Sequence, residues 1–384
     1  MLAPHEPRKE AGLLFKRGLD LRSLGRRDEA LADWREALAE YERLGDVEAV
    51  GGVCAELSTY LLSIARFKDA FEVANRGLAA LGNRVNAARC MLLAASAFVL
   101  SNMPEAGYKA AHEMFVQALA MAEELKDERL LGPILARKAF LHHAYWQGRE
   151  AAEAGLKAAQ LMQSADPYNA GYPLAYGGQC GMLWLGRLEE SEKIGAEAKV
   201  LAMRGGNEHA RWFAGHYDSF REVAATGDLI QFEKRRKELL DMELALGSGW
   251  ATLSYAFLGR AQFWRGRWDE ARGSLKRGAQ ADVEGHTAGL SDSLLFLLDA
   301  YSHEKEAALA ILKKNEGMLP QIGQPNMYGP WITLAAAVEG LAVIEEWDGA
   351  AKLYPISLDA IGTGNLLHAS FNGLVQTTAG IAAA

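Results

Sequence analysis

The sequence contains few of the residues that build disulfide-linked, metal-bound or sheet-rich proteins. Only three of its 384 residues are cysteines, Cys54, Cys90 and Cys180, and they are far apart. An odd number of distant cysteines provides neither a disulfide framework nor the paired spacing of a zinc site, which indicates a reducing, cytoplasmic environment. The ten prolines and the small number of β-branched runs argue against β-sheets.

The sequence also lacks strong basic charge and long hydrophobic runs. Its formal net charge is −8, so neither nucleic acid nor an anionic membrane surface is an expected partner. The longest apolar stretches, such as residues 90–100, are too short to cross a bilayer. Residues 1–9 are polar and lack the apolar region of a signal peptide. We therefore expect no association with a membrane.

Motifs of the common catalytic and metal sites are missing as well. No glycine is followed by lysine, which excludes a phosphate-binding P-loop, and neither H-E-x-x-H nor G-x-S-x-G occurs. Cys180 fits a small buried residue between helices better than a nucleophile. His209 and His216 have no evident third ligand, so we expect ordinary half-buried histidines. The sequence thus predicts no metal, no cofactor and no enzymatic activity.

One short pattern recurs along the whole sequence. Residues 265–271 read Arg-Gly-Arg-Trp-Asp-Glu-Ala, and residues 24–30 and 185–191 are variations of this pattern. A glycine that closes one helix, followed by acidic residues that begin the next, is typical of a tight helix–turn–helix unit. We use the small residue at the start of each second helix as a marker. The markers are Ala30, Ala70, Ala111, Ala151, Ser191, Gln231, Ala271, Ala307 and Ala350.

Successive markers are 36 to 43 residues apart, and most of the intervals are 40. A period this regular is typical of a solenoid of repeated units. Small residues on both helices of a unit permit close antiparallel packing. The sequence therefore predicts an all-α, right-handed superhelical solenoid of about nine helical hairpins, forming one domain over residues 1–384. A last helix from about Phe371 has no following helix to cover it, so we expect an incomplete repeat there.

The small residues at these offsets resemble tetratricopeptide repeats (TPRs) over nearly the whole chain. The period of about 40 exceeds the usual repeat of about 34 residues and resembles the longer repeats of large bacterial signalling proteins. Segments 263–271, 328–331, 338–341 and 353–355 form a series that resembles the C-terminal repeat arm of adenylate/guanylate cyclases with an ATPase module. Related arms occur in large ATP-dependent transcription regulators. Because the sequence has neither a P-loop nor a cyclase domain, the resemblance implies a regulatory arm only.

The resemblance also implies a function. TPR-like solenoids present a concave face, and binding is the usual role of such a face. We therefore expect a non-catalytic scaffold that binds a protein or peptide in its concave groove, or senses a small-molecule effector. In this interpretation, the protein is the regulatory arm of a bacterial signal-transduction protein. The alternative is an enzyme whose small-molecule site is enclosed in the superhelix.

In TPR-like repeats, set positions of the first helix line the groove. Counting 15, 11, 8 or 7 residues back from the markers gives ten candidate binding residues: Tyr176, Trp184, His216, Phe220, Arg260, Phe263, Trp264, Asp292, Phe296 and Asp299. They combine large aromatic side chains with a few charges, which suits a peptide or small-molecule groove. Aromatic residues can equally plug a narrow superhelix, and the sequence leaves both interpretations open.

Overall fold

The structure, a computed structural model, describes residues 6–63, 66–103, 107–247, 250–280, 285–368 and 373–384. These residues are almost entirely helical, as the sequence predicts. The only strands among them are the two-residue β1 (Leu367–His368) and β2 (Gly373–Leu374), which pair antiparallel. The helices, in chain order, are α1 (Pro7–Ser23), α2 (Arg27–Arg43), α3 (Val47–Ser63), α4 (Phe67–Leu81), α5 (Ala87–Leu100), α6 (Gly107–Leu125), α7 (Leu131–Ala144), α8 (Gly148–Ala165), α9 (Gly171–Pro173), α10 (Cys180–Trp184), α11 (Leu188–Gly205), α12 (Glu208–Thr226), α13 (Leu229–Leu246), α14 (Ala251–Trp264), α15 (Trp268–Gln280), α16 (Leu290–Tyr301), α17 (Lys305–Lys314), α18 (Tyr328–Val343), α19 (Trp347–Ala351), α20 (Tyr354–Gly362) and α21 (Val375–Ala383).

Consecutive helices pack as nine hairpins in the described part of the chain, which confirms the predicted TPR-like solenoid. The hairpins are α1/α2, α3/α4, α5/α6, α7/α8, α9–α10/α11, α12/α13, α14/α15, α16/α17 and α18/α19. In the fifth hairpin, a π-helical turn (Leu174–Gln179) joins α9 to α10. In the first hairpin, a Cβ at Gly18 would lie 2.4 Å from Nε1 of the fully buried Trp34. The small residues of the repeat therefore set how closely the two helices approach.

Two of the nine markers are one residue out of register. Ala308 is fully buried whereas Ala307 is exposed, and Phe232 is buried whereas Gln231 is only half-buried. The markers Ala307 and Gln231 are therefore wrong by one residue, because the connections between helices differ in length. The other seven markers are fully buried. Any position that is counted back from the two displaced markers shifts by one residue.

The turn within several hairpins contains a residue in the left-handed conformation. Gly25, Gly186 and Gly266 adopt it with φ angles of 73°, 74° and 72°, which costs glycine no steric penalty. In the fourth hairpin, Trp146 takes this place with a φ of 55°, which is a strained conformation for a bulky residue. The sequence predicts a turn near Gly148, and Gly148 itself is the first residue of α8, directly after this turn.

The C-terminal end of the chain is covered by neighbouring helices. Phe371, the predicted start of the last helix, lies outside the described residues. Helix α21 packs against α18, α19 and α20. Its residues Val375, Ala379 and Ala382 are buried. Val375 is therefore covered by helices that precede α21, and the predicted incomplete repeat stays a prediction.

Close contact between α8 and the π-helical turn gives the first testable prediction. A Cβ at Gly155 would lie 2.4 Å from the carbonyl oxygen of Pro173 and 2.7 Å from the amide nitrogen of Gly178. We expect Gly155→Ala to lower the free energy of unfolding by about 1–3 kcal/mol, because the opposing atoms belong to a backbone that cannot move aside alone. Denaturant unfolding of the purified variant measures this change.

Gly273 provides the matched control. It is exposed on α15, and a Cβ there would meet no atom within 4 Å. Gly273→Ala should therefore stabilise the protein by about 0.5–1 kcal/mol, because alanine loses less backbone entropy than glycine in a helix. A Gly155→Ala variant as stable as Gly273→Ala would contradict the close packing of the fourth and fifth hairpins.

Candidate functional site

Aromatic side chains from distant repeats meet inside the superhelix. The ring of His143 on α7 stacks on Trp184 of α10, with ring centroids 5.1 Å apart and an interplanar angle of 13°. Tyr328 on α18 lies 5.6 Å from the ring of Trp184, and His286 lies 5.6 Å from the ring of His143. The hydroxyl of Tyr217 on α12 is 3.3 Å from Nε2 of His143. We call these five residues the interior cluster.

His286 connects the interior cluster to the third repeat. Its Nδ1 lies 3.0 Å from Oδ1 of Asn102, a residue 184 positions earlier in the chain. Its ring also lies 5.3 Å from that of Phe140 and 5.9 Å from that of Trp250. The early and late repeats therefore touch each other in the interior through His286.

Burial keeps the interior cluster uncharged. It lowers the pKa of His143 well below the usual value, and the nearby His286 adds to this effect. Burial also lowers the pKa of His286 to about 4 and raises that of Tyr217 well above its ordinary value. At neutral pH the buried cluster is thus uncharged, and its environment suits apolar and hydrogen-bonding groups better than charged ones.

The strained Trp146 lies next to the interior cluster. Its ring stacks on His368 with centroids 5.0 Å apart and an interplanar angle of 10°, and it lies 5.4 Å from Trp331 of α18. Its carbonyl oxygen accepts a hydrogen bond of 2.5 Å from Nδ2 of Asn365. The turn of the fourth hairpin is therefore in direct contact with residues near the C-terminus of the chain.

These residues belong to a stretch that we call the C-terminal segment (residues 365–368). The amide of Leu366 donates a hydrogen bond of 2.7 Å to the carbonyl oxygen of Trp184. A Cβ at Gly186 would lie 2.4 Å from Cδ2 of Leu366, and the left-handed backbone angle of Gly186 also favours glycine. The C-terminal segment thus bridges the turns of the fourth and fifth hairpins.

Three of the ten candidate residues predicted from the sequence lie at this interior face, and a fourth, Trp264, packs against one of them. Trp184 is fully buried in the interior cluster, and Tyr176, also buried, donates its hydroxyl to the carbonyl oxygen of Ala136 at 2.7 Å. Burial and, to a smaller extent, the nearby charge of the third residue, Arg260, together lower the pKa of His368 to about 3. The guanidinium of Arg260 lies 4.1 Å from the ring centre of the half-buried Trp264.

His216 and Phe220 lie instead in the layer between α12, α13 and α14. Nδ1 of His216 is 3.2 Å from the guanidinium of the buried Arg236, and the ring of Phe220 is 5.0 Å from that of Phe257. Both residues were counted from the displaced marker Gln231. Counting 15 residues back from the buried Phe232 gives Tyr217, which does belong to the interior cluster.

The remaining four candidates connect neighbouring hairpins. Phe263 lies 5.5 Å from the ring of Tyr301. Asp299 pairs with Arg272, and Phe296 fills the space left by Gly340.

Asp292 accepts a hydrogen bond of 2.8 Å from Lys314 and lines a cavity of about 290 Å³ between α14, α15, α16 and α17. It was counted from the displaced marker Ala307, as were Phe296 and Asp299.

Part of the interior surface was accessible to sequence reasoning, and part was not. Counting 11 and 8 residues back from Ala151 gives Phe140 and His143, although none of the ten candidate residues comes from this repeat. His286 and the C-terminal segment lie in connections between helices, where no helical period applies. Tertiary contacts alone bring these residues to the interior.

Two further properties concern the described residues only. None of the helices in this part of the chain combines the length and hydropathy that a membrane crossing requires. The same residues contain no group of three or more histidine, cysteine, aspartate or glutamate side chains arranged to hold a metal ion.

The fold and the interior define the class of the protein, a TPR-like helical-repeat solenoid. No family model matches the chain, and no curated protein matches its sequence. Among solved structures, it is similar to a Rap protein complexed with Competence and Sporulation Factor, with a TM-score of 0.68 and 13% identity over 93% of this chain and 99% of that chain. Yeast Tom70 gives a TM-score of 0.38 and 14% identity over 93% of this chain and 77% of that one. The similarity to the Rap protein shows a shared fold.

Proposed function

We propose that this protein is a non-catalytic scaffold that binds a protein or peptide partner at the interior face of its superhelix. The observation that carries the proposal is the C-terminal segment, which binds the turns of two hairpins through a backbone amide, a carboxamide and a ring. A surface that holds one such segment has the acceptors and aromatic rings that peptide recognition requires. The similar Rap protein was solved in complex with Competence and Sporulation Factor, which supports the same use here.

We further propose that the scaffold is a regulatory arm of bacterial signal transduction and acts in the cytoplasm. The support is the series of segments 263–271, 328–331, 338–341 and 353–355, which resembles the repeat arm of cyclases with an ATPase module. A reading frame for an ATPase or cyclase domain that continues into this chain, or lies next to it, is the expected genomic context. Neighbouring genes unrelated to signalling would argue against this assignment.

Partner capture by matched variants tests the proposed function. The immobilised chain is incubated with lysate of the source organism, and captured proteins and small molecules are identified by mass spectrometry and then titrated as purified components. We expect Arg260→Ala and Trp264→Ala to weaken binding of the partner by about tenfold or more, since truncated aromatic and arginine anchors typically have such effects. Trp268, which is 39% exposed at the start of α15, provides the control variant Trp268→Ala.

The outcome depends on a comparison between folded variants. If Arg260→Ala and Trp264→Ala keep the helical content of the wild type and bind the partner as tightly as Trp268→Ala does, the interior face is not the binding surface. If no partner is captured by any of these proteins, the proposed scaffold function itself is contradicted.

A further inference from the structure

We propose that the C-terminal segment is an exchangeable occupant of a peptide site, and that a partner segment of the same chemistry displaces it. The ligand is an extended peptide with a carboxamide side chain, an aliphatic side chain directly after it, and an imidazole or aromatic ring two positions further on. This inference rests on the proposed function, because it specifies the partner chemistry for the same interior face.

The backbone of the site consists of carbonyl groups at the ends of two neighbouring helices. Trp184 is the last residue of α10, and Trp146 lies two residues beyond the end of α7. Carbonyl groups at a helix C-terminus have no partner within the helix and must find donors elsewhere. Asn365 and Leu366 supply these donors from consecutive residues, so the two turns are spaced to receive one extended strand.

Two glycines and one tryptophan shape the side-chain positions of the site. A Cβ at Gly148 would lie 2.4 Å from Oδ1 of Asn365, so only a glycine leaves space for the carboxamide. Gly186 makes the same kind of space for Leu366. The indole of Trp146 provides the flat surface on which His368 stacks. The site thus discriminates by side-chain shape at the carboxamide and ring positions, where Asn365 and His368 are buried.

The C-terminal segment satisfies this site incompletely. Four buried polar atoms have no hydrogen-bond partner among the described residues: Oδ1 of Asn365, Nε2 of His368, and the Nε1 atoms of Trp146 and Trp184. Buried polar atoms without partners cost free energy. These unpaired atoms weaken the binding of the C-terminal segment. A partner peptide that forms hydrogen bonds with them therefore has an advantage over the segment in competition for the site.

The short connection between α20 and the C-terminal segment allows the segment to move away from the two hairpin turns. Thr363 and Gly364, the two residues between α20 and the segment, are both exposed. Gly364 has a φ of 77°, a conformation that favours glycine. Rotation in this short connection, together with opening of the β1–β2 pair and of the hydrogen bond from the amide of Val375 to the carbonyl oxygen of Leu366, would release the segment without unfolding α20.

The test uses a fluorescent peptide with the sequence of residues 361–368 and the full-length protein. In Asn365→Asp, the segment loses the amide that binds Trp146 and gains a carboxylate that the carbonyl oxygen repels. We expect this variant to bind the peptide about tenfold or more tightly than the wild type, because the internal competitor is weakened. A peptide whose own asparagine is replaced by aspartate should lose that binding. Fluorescence anisotropy measures both.

Two control variants complete the experiment. Asn83 is exposed in the connection after α4, so Asn83→Asp makes the same charge change away from the site and should bind the peptide as the wild type does. If Asn365→Asp fails to fold by circular dichroism, His368→Ala, which removes the ring stacked on Trp146, replaces it in the comparison.

Two results would overturn the inference: equal peptide affinity for the wild type and for the folded segment variant, or equal binding of the two peptides. Partner capture that persists despite either result would leave the proposed function standing and reject only the exchangeable segment. Loss of partner capture altogether would instead contradict the proposed function.

Discussion

Trp184→Ala should lower the free energy of unfolding by about 3–5 kcal/mol, as truncation of buried aromatic residues does. The side chain is fully buried, stacks on His143 and packs against Tyr328, which belongs to a repeat more than 140 residues later. Its removal leaves a cavity at the level where the early and late repeats meet. Chemical denaturation followed by circular dichroism measures the change, because almost all of the described chain is helical.

Trp347→Ala is the matched control for this prediction. Trp347 begins α19 and is 50% exposed, so its truncation should change the free energy of unfolding by about 0.5 kcal/mol or less. A similarly small effect of Trp184→Ala would mean that the tryptophan does not fill the interior. Stability loss in Trp184→Ala, Arg260→Ala and Trp264→Ala with unchanged partner capture would support the plug interpretation of these residues over the groove.

Acidification should destabilise the protein before most carboxylates titrate. Burial lowers the pKa of His286 from 6.5 to about 4 and that of His368 to about 3, and it lowers the pKa values of His143 and His216 as well. The folded state holds these rings neutral, whereas the unfolded chain binds protons near pH 6.5. The stability they provide is therefore fully present above about pH 6.5 and decreases as the pH falls towards the folded-state pKa values.

The magnitude of this effect is measurable for a single residue. His286 alone should account for about 2 kcal/mol of lost stability between about pH 7.5 and about pH 5, given its shift in pKa. His286→Gln removes the titrating ring and keeps a side chain that can donate to Asn102. We expect this variant to show a smaller difference in the free energy of unfolding between the two pH values.

His303→Asn is the control for the acid prediction. His303 is exposed in the turn between α16 and α17, so this variant should keep the full pH dependence of the wild type. An unchanged pH dependence in His286→Gln would show that this histidine is not buried in the neutral form.

The architecture followed from the sequence because it depends on local and periodic features. Gly25 closes one helix and Ala30 permits close packing of the next, and the same pair of properties recurs about every 40 residues. The exact marker position was harder to predict in a repeat that has a large residue where the other repeats have a small one. Phe232 fills the position in the sixth hairpin, so the period alone placed the marker on Gln231.

The interior site followed from the sequence only in part. Trp184 and Arg260 were found because their offsets were counted from markers that are in register. His286 and His368 were missed because they lie outside the hairpin helices and reach the interior through the superhelical path of the chain. The left-handed Trp146 was missed because its neighbour Gly148 was the better candidate for the turn.

We conclude that the chain's own C-terminal segment binds the turns of the fourth and fifth hairpins. Residue-resolved amide hydrogen exchange at Leu366 tests it most directly, because this amide donates to the carbonyl oxygen of Trp184 and has no role in a helix. We expect exchange at Leu366 to be slowed by about a hundredfold or more relative to an unfolded chain, and Asn365→Asp to reduce this protection. Exchange at the unfolded-chain rate in the wild-type protein would contradict the claim.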